Sequence, residues 1–278
     1  MQLVILILAF LFGGAVGSFI LVIADRYHTG LSFRKGRSFC FSCGSKLQFS
    51  DLVPVFSYIF LRARCRYCGY KIPREALWVE IVMGLLSVVA LINSNFYIAF
   101  SQFGNLGESL ILYTLYLLIF SAVLLISIYD LRHFIIPDTF LVALLGFGLA
   151  LHLFQGFSFM YVLSAIALCL PFGFLFLFSK GKWLGFGDVK YIFVIGFLIG
   201  PALGLSAVIL AFWIGAFVSV SMIIISKLLP RLGLLGQERG LTIKSEIPFG
   251  PFLSLGLILA LVLQIDLFSI QVFIDTFY

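Results

Sequence analysis

Eight apolar runs can be read along the chain, near residues 2–24, 77–100, 109–129, 139–154, 159–178, 188–199, 201–226 and 249–275. A helix that crosses a bilayer needs about 20 apolar residues, and most of these runs supply them. The sixth is short, and the turn at Gly200-Pro201 divides it from the seventh. Asn93 and Asn95 mark a possible exit for the second. The first run has no charged residue ahead of it and is expected to be a retained span, not a removed signal peptide.

Composition turns these runs into a compartment. Hydrophobic residues make up 62% of the 278, and charged residues only 11%. A water-soluble chain of this size could not hide that much apolar surface, so the solvent for most of it is lipid. Lipid-exposed backbone must satisfy its own hydrogen bonds, which excludes open sheets. The expected fold is therefore an all-α polytopic membrane protein with about eight transmembrane helices and one cytoplasmic zinc-knuckle loop.

The positive charges set an orientation. Ten of the 18 Lys and Arg lie between Arg26 and Arg74, and the rest lie at Arg132, at Lys180, Lys182 and Lys190, and from Lys227 to Lys244. The connections around 93–108, 155–158 and 200–201 hold none. Basic residues stay on the cytoplasmic side, so both termini are expected to be external. The net charge of +6 then reflects topology and contact with anionic headgroups. Nucleic acid is not expected as a partner, because the cations are spread over four loops with no recognition module.

The large loop, residues 25–77, carries Cys40-Phe41-Ser42-Cys43 and Cys65-Arg66-Tyr67-Cys68. Two CxxC pairs bring four thiolates to one tetrahedral site, usually a structural zinc. Gly44 and Gly69 follow the pairs and permit the turn each knuckle needs. Two disulfides are the alternative, but a reducing cytoplasm disfavours them. Cys169, alone in the fifth run, reads as a small buried apolar residue.

The acids are few enough to weigh one by one. Gly13, Gly14 and Gly17 in the first run predict close helix packing. Glu80 lies just inside the second run, where a carboxylate is costly unless paired or functional; snorkelling, or pairing with Arg26, is the simpler account. Asp130 closes the third run, where the helix dipole disfavours negative charge. Asp138 follows Pro137 and reads as a helix N-cap. His133 is one turn from Asp130 and could face the headgroups, while His28 and His152 show no partner.

Asp188 begins the sixth run inside Gly185-Phe186-Gly187-Asp188-Val189-Lys190, and capping that helix is its plain reading. Topology adds a second reading. Asp130 and Asp188 end on the same face of the membrane, on different helices. Two carboxylates brought close share a proton and titrate as a pair, which is what an aspartic protease uses on water and a scissile carbonyl. A proton-coupled transporter is the alternative, disfavoured because the acids sit near one face and no repeat of span order is evident. A non-catalytic zinc-knuckle scaffold is a third.

Taken together the chain resembles the type IV prepilin peptidases, GxGD-type membrane aspartic proteases. The resemblance rests on Gly17-Ser18-Phe19, the two CxxC pairs, Pro54-Val55-Phe56-Ser57, Asp130 with Ile136-Pro137-Asp138, the Gly185–Lys190 segment, and Ile247-Pro248-Phe249-Gly250-Pro251-Phe252. It implies Asp130 and Asp188 as the catalytic pair, with Gly185, Gly187 and Lys190 as their supporting loop. Implied substrates are prepilin or pseudopilin precursors at the cytoplasmic face of a bacterial inner membrane. It also implies a division into residues 1–100, a methyltransferase-like region that includes Arg26 and Glu80, and 101–278, a six-span peptidase domain. Many bacterial members methylate the new N-terminus with S-adenosylmethionine. This chain departs from the family pattern at Leu21, Asp25 and Phe41.

Overall fold

The computed structural model describes residues 2–27, 29, 38–40, 42–94, 105–231 and 247–264, with only the backbone of Gln2 and of 226–231. In chain order the helices are α1 (Gln2–Arg26), α2 (Phe56–Phe60) after a 3-10 turn at Phe49–Asp51, α3 (Arg74–Asn93), α4 (Leu106–His133), α5 (Asp138–Gln155), α6 (Phe159–Ser179), α7 (Phe186–Arg231) and α8 (Gly250–Leu263). Among the described residues the only extended pairing is two isolated β-bridges in the cysteine loop. Six helices among the described residues are long and apolar enough to cross a membrane, and the protein is a multi-pass membrane protein.

The sixth of those helices runs for 40 residues, Phe186–Ile225. Straight, it would run about 60 Å, twice the hydrocarbon thickness of about 30 Å. It does not stay straight. Gly200 adopts φ 78° and ψ −174°, a conformation that side chains resist. A Cβ on Gly204 would lie 3.4 Å from Cα of Gly196, whereas eight residues of straight helix separate such atoms by about 12 Å. The chain doubles back, which separates the sixth and seventh expected spans at the residue pair that predicted it. The second span stops at Asn93, and residues 265–275 of the eighth lie outside the described residues.

The reversal leaves one backbone group without its helical partner. Pro201 has no N–H for the carbonyl of Phe197 four residues earlier. His152 supplies the donor from α5, with Nε2 2.9 Å from that oxygen, its ring stacked on Tyr161 at 3.7 Å. His152 therefore has a partner, contrary to the sequence reading, and it is buried. His28 lies outside the described residues. Cys169 is half-buried instead of buried, with its thiol directed at the Ile166 carbonyl, 3.5 Å away.

The chain forms two compact units, Met1–Ile128 and Tyr129–Tyr278. In the first, α1 packs on α3 at the expected glycines: a Cβ on Gly17 would come within 2.9 Å of Met83 Cβ. Ser87 of α3 donates to the Ala9 carbonyl at 2.7 Å and receives the Tyr113 hydroxyl at 2.8 Å. In the second, α7 is the hub for α5, α6 and α8. Tyr191, Ile192 and Ile195 of α7 and Leu253 and Leu257 of α8 are wholly enclosed.

Candidate active site and four-cysteine centre

Asp130 stands in the last turn of α4, where unsatisfied carbonyls make negative charge unfavourable. Packing supplies the compensation from another helix. The first amide of α8, Gly250 N–H, donates to Asp130 Oδ2 at 2.9 Å, so the positive end of one helix faces the acid at the negative end of another. Pro251 has no N–H, and the Phe252 amide is taken by the Phe249 carbonyl at 3.0 Å. Asp130 is only 4% exposed.

Asp188 is the third residue of α7 and is half-buried. Its carboxylate turns back to the Gly185 backbone amide, so the capping role and the site role belong to the same side chain. A Cβ on Gly185 would sit 3.2 Å from Asp188 Oδ2, and one on Gly187 would sit 3.3 Å from Ile136 Cβ. The first glycine leaves room for the carboxylate, and the second for the α4–α5 connection. Asp130 lies within electrostatic reach of Asp188. Beneath them, the buried Tyr191 hydroxyl pairs with Ser254 Oγ at 2.8 Å.

Lys190 does not turn toward these acids. Two residues on from Asp188 it points about 200° away round the helix, where Nζ meets Asp138 Oδ1 at 2.6 Å and lies 4.7 Å above the Phe186 ring. Asp138 is not the N-cap that sequence suggests. Pro137 takes that position, and Asp138, first in the helix, spends its charge on Lys190. His133 is exposed, its ring tilted against that of Tyr129 with centroids 4.4 Å apart. Nothing in the local sequence pointed to Gly250 as a partner of Asp130, because 120 residues separate them.

In the first unit, Cys40, Cys43, Cys65 and Cys68 converge with their sulfurs all within 4.8 Å of one another. The two knuckles repeat each other: the Gly44 amide donates to the Cys40 carbonyl at 2.8 Å, and the Gly69 amide to the Cys65 carbonyl at 2.9 Å. Bridges Phe39–Lys46 and Arg64–Lys71 flank them identically. Zinc–sulfur bonds of about 2.3 Å in a tetrahedron require sulfurs about 3.8 Å apart, and Cys40 and Cys68 are 3.8 Å apart. The donor set fits a tetrahedral thiophilic ion. The hydroxyl and amide of Ser45 hold the Cys43 thiol down to about 6. The Tyr70 amide pulls Cys68 the same way, but desolvation and the neighbouring thiols outweigh it and push it up to about 11.

Glu80 is 9% exposed and does not snorkel. Its Oε2 accepts the Val55 amide at 2.7 Å, and the Ser18 hydroxyl joins it. Val55 pays in backbone strain: φ is 64° and ψ −49°, left-handed for a β-branched residue, and the Phe56 amide closes a γ-turn on the Pro54 carbonyl at 2.6 Å. The Arg26 guanidinium lies 5.6 Å above the Phe39 ring.

The fold and these two centres define a class: a polytopic helical membrane protein with two carboxylates at helix ends and a four-thiol loop. The chain is similar to the type IV leader peptidases. Residues 117–220 match the profile of the Type IV leader peptidase family, and residues 11–94 that of the Bacterial Peptidase A24 N-terminal domain. A prepilin leader peptidase/N-methyltransferase of Burkholderia pseudomallei (strain 1026b) is 31% identical over 79% of this chain and 65% of its own length. One from Bacillus subtilis (strain 168) is 28% identical over 90% of this chain and 91% of its own length, and one from Vibrio cholerae is 28% identical over 79% and 89%. The chain thus spans about two-thirds of the Burkholderia relative it matches (65%). No solved structure matches the chain.

Proposed function

We propose that the protein is a prepilin peptidase of the bacterial inner membrane, cutting the leader from pilin-like precursors with Asp130 and Asp188 as one catalytic unit. The observation that carries this is the convergence of the ends of α4, α7 and α8, which puts both acids within reach of each other. Asp130 is sealed and held by a backbone amide; Asp188 is the half-open partner. One carboxylate takes a proton from the attacking water while the other, protonated, polarises the scissile carbonyl. Gly185 and Gly187 admit the carboxylate and the neighbouring loop, and Lys190 braces α5 against α7 through Asp138.

The acids face the cytoplasm in this reading, with both termini external. Residues 1–100 form the N-terminal region with its cysteine loop, and 101–278 the peptidase domain. The matches at 11–94 and 117–220 support that division. Zinc in the four-cysteine site is structural, since a closed thiolate set leaves no open coordination position.

The test is cleavage of a pilin precursor in membranes. Asp130→Asn and Asp188→Asn should each lower the rate by orders of magnitude, and the double variant should cost little more, because the two act together. Near-normal cleavage by either single variant sinks the mechanism and makes Asp138 the next acid to examine.

The relatives' names also include N-methyltransferase, which makes methyl transfer from S-adenosylmethionine the second reading. The residues expected to serve it do not form an open cradle: Glu80 is committed to Val55 and Ser18, and Arg26 lies over Phe39. No step is therefore assigned to that cofactor. The mass of a processed pilin N-terminus decides between peptidase alone and both activities.

A further inference from the structure

Within the cysteine loop, residues 49–60 carry an unusual surface. Phe49 is 85% exposed, Phe60 80% and Ile59 60%, and Phe56, Val53 and Leu52 are exposed beside them. Ser50 is the only other exposed residue in that stretch. Its one charge, Asp51, turns inward to Arg66 at 2.7 Å and Tyr67 at 3.1 Å. Arg62 and Arg64, both exposed, follow directly. Soluble surfaces avoid an apolar patch of this kind.

The depth of the loop explains the patch. Its centre, Pro54-Val55, is wedged against the α1–α3 pair: a Cβ on Gly14 would lie 2.8 Å from Pro54 Cβ, and the Val55 amide reaches Glu80. Glu80 is six residues into α3, about 9 Å along its axis. The 20 residues of α3 measure about 30 Å, the thickness of the hydrocarbon, so its first residue, Arg74, marks the boundary and the wedge lies below it. Irregular backbone at that depth survives only when wrapped by protein. Pro54 is buried and Val55 gives its amide to a carboxylate. The segments on either side of the wedge must then cross the headgroup boundary, carrying the six apolar side chains with them.

We propose that this face of the cysteine loop is a membrane-binding surface: Phe49, Leu52, Val53, Phe56, Ile59 and Phe60 sit in lipid at the acyl–headgroup boundary, with Arg62 and Arg64 on anionic headgroups. Lipid is the occupant because the face is continuous with the spans α1 and α3 that hold it, at a depth the bilayer already fills. The cations beside it complement an anionic leaflet. The four-cysteine centre is thereby held against the membrane surface through Asp51, which ties the turn before the wedge to the second knuckle. The inference depends on the membrane fold and not on the peptidase reading.

Hydroxyl-radical footprinting of the unaltered full-length protein tests it, in nanodiscs of phosphatidylcholine and phosphatidylglycerol. The reference rate is that of the same residues in the free tryptic peptide 47–62. Phe49 and Phe60 should oxidise roughly tenfold more slowly in the nanodisc than in the peptide, since side chains seated in the acyl boundary lose water. A Phe60→Trp variant, with Trp78, Trp183 and Trp213 replaced by Phe, should be quenched by lipids brominated near the headgroup and not by aqueous acrylamide. Oxidation at the peptide rate overturns the proposal. So does protection that appears only after a pilin precursor is added, which would make the face a protein-docking surface.

Discussion

Gly250 and Asp130 fit each other as donor and acceptor with no space to spare. The amide is 2.9 Å from Oδ2, and a Cβ on Gly250 would lie 2.6 Å from the same oxygen. A side chain at 250 therefore displaces the carboxylate. Gly250→Ala should lower kcat for precursor cleavage by about a hundredfold, the cost of a small misplacement in an active site, with KM little changed. In an Asp130→Ala background the same change should no longer lower the thermal midpoint, because the clash partner is gone. Equal destabilisation in both backgrounds would mean that Gly250 serves packing alone.

Glu80 separates two roles by one atom. Glu80→Gln keeps an oxygen for the Val55 amide, whereas Glu80→Leu leaves that amide buried and unpaired at a cost of about 1–3 kcal/mol. The Leu variant should expose Arg62 and Arg64 to trypsin faster in purified protein, and the Gln variant should not. If Gln retains loop protection yet abolishes methylation of processed pilin, Glu80 also acts in the methyl transfer.

The cysteine centre makes a stoichiometric prediction. Purified protein should carry about one zinc per chain, and Cys40→Ser and Cys65→Ser should each release it, since each knuckle contributes half the tetrahedron. Metal-free protein holding two disulfides would overturn both the ion and the cytoplasmic placement of the loop.

Asp51 gives the loop a pH dependence. Desolvation opposes its charge, but the Gln48 amide, the Tyr67 hydroxyl and Arg66 together hold its carboxyl below the usual value. A folded value below the unfolded one, about 3.9, means that the contribution is complete above about pH 4 and fades as pH falls through the folded value. Protease protection of the loop should decline over that acid range in the parent protein. In Asp51→Asn the decline should be flatter, and an unchanged acid profile would assign the transition to another group.

The sequence by itself determined the solvent, the helical class and the two chemical centres. Apolar runs long enough to span lipid admit only helices, and a doubled CxxC spacing with glycines behind it admits few structures besides a knuckle pair. Gly200-Pro201 broke the longest run where the chain in fact reverses, because a residue with positive φ beside one without an N–H is a local instruction. Partnership was not local, and only the tertiary structure decided it. Asp138 looked like a cap until α7 brought Lys190 to it. His152 had no visible partner until Pro201, 49 positions on, orphaned a carbonyl beside its ring. Gly250 lies 120 residues from the acid it holds, and Glu80 meets the backbone of a strained loop instead of a charge. In each case the pairing follows from elements packed side by side, whose contacts depend on depth and facing and not on spacing along the chain.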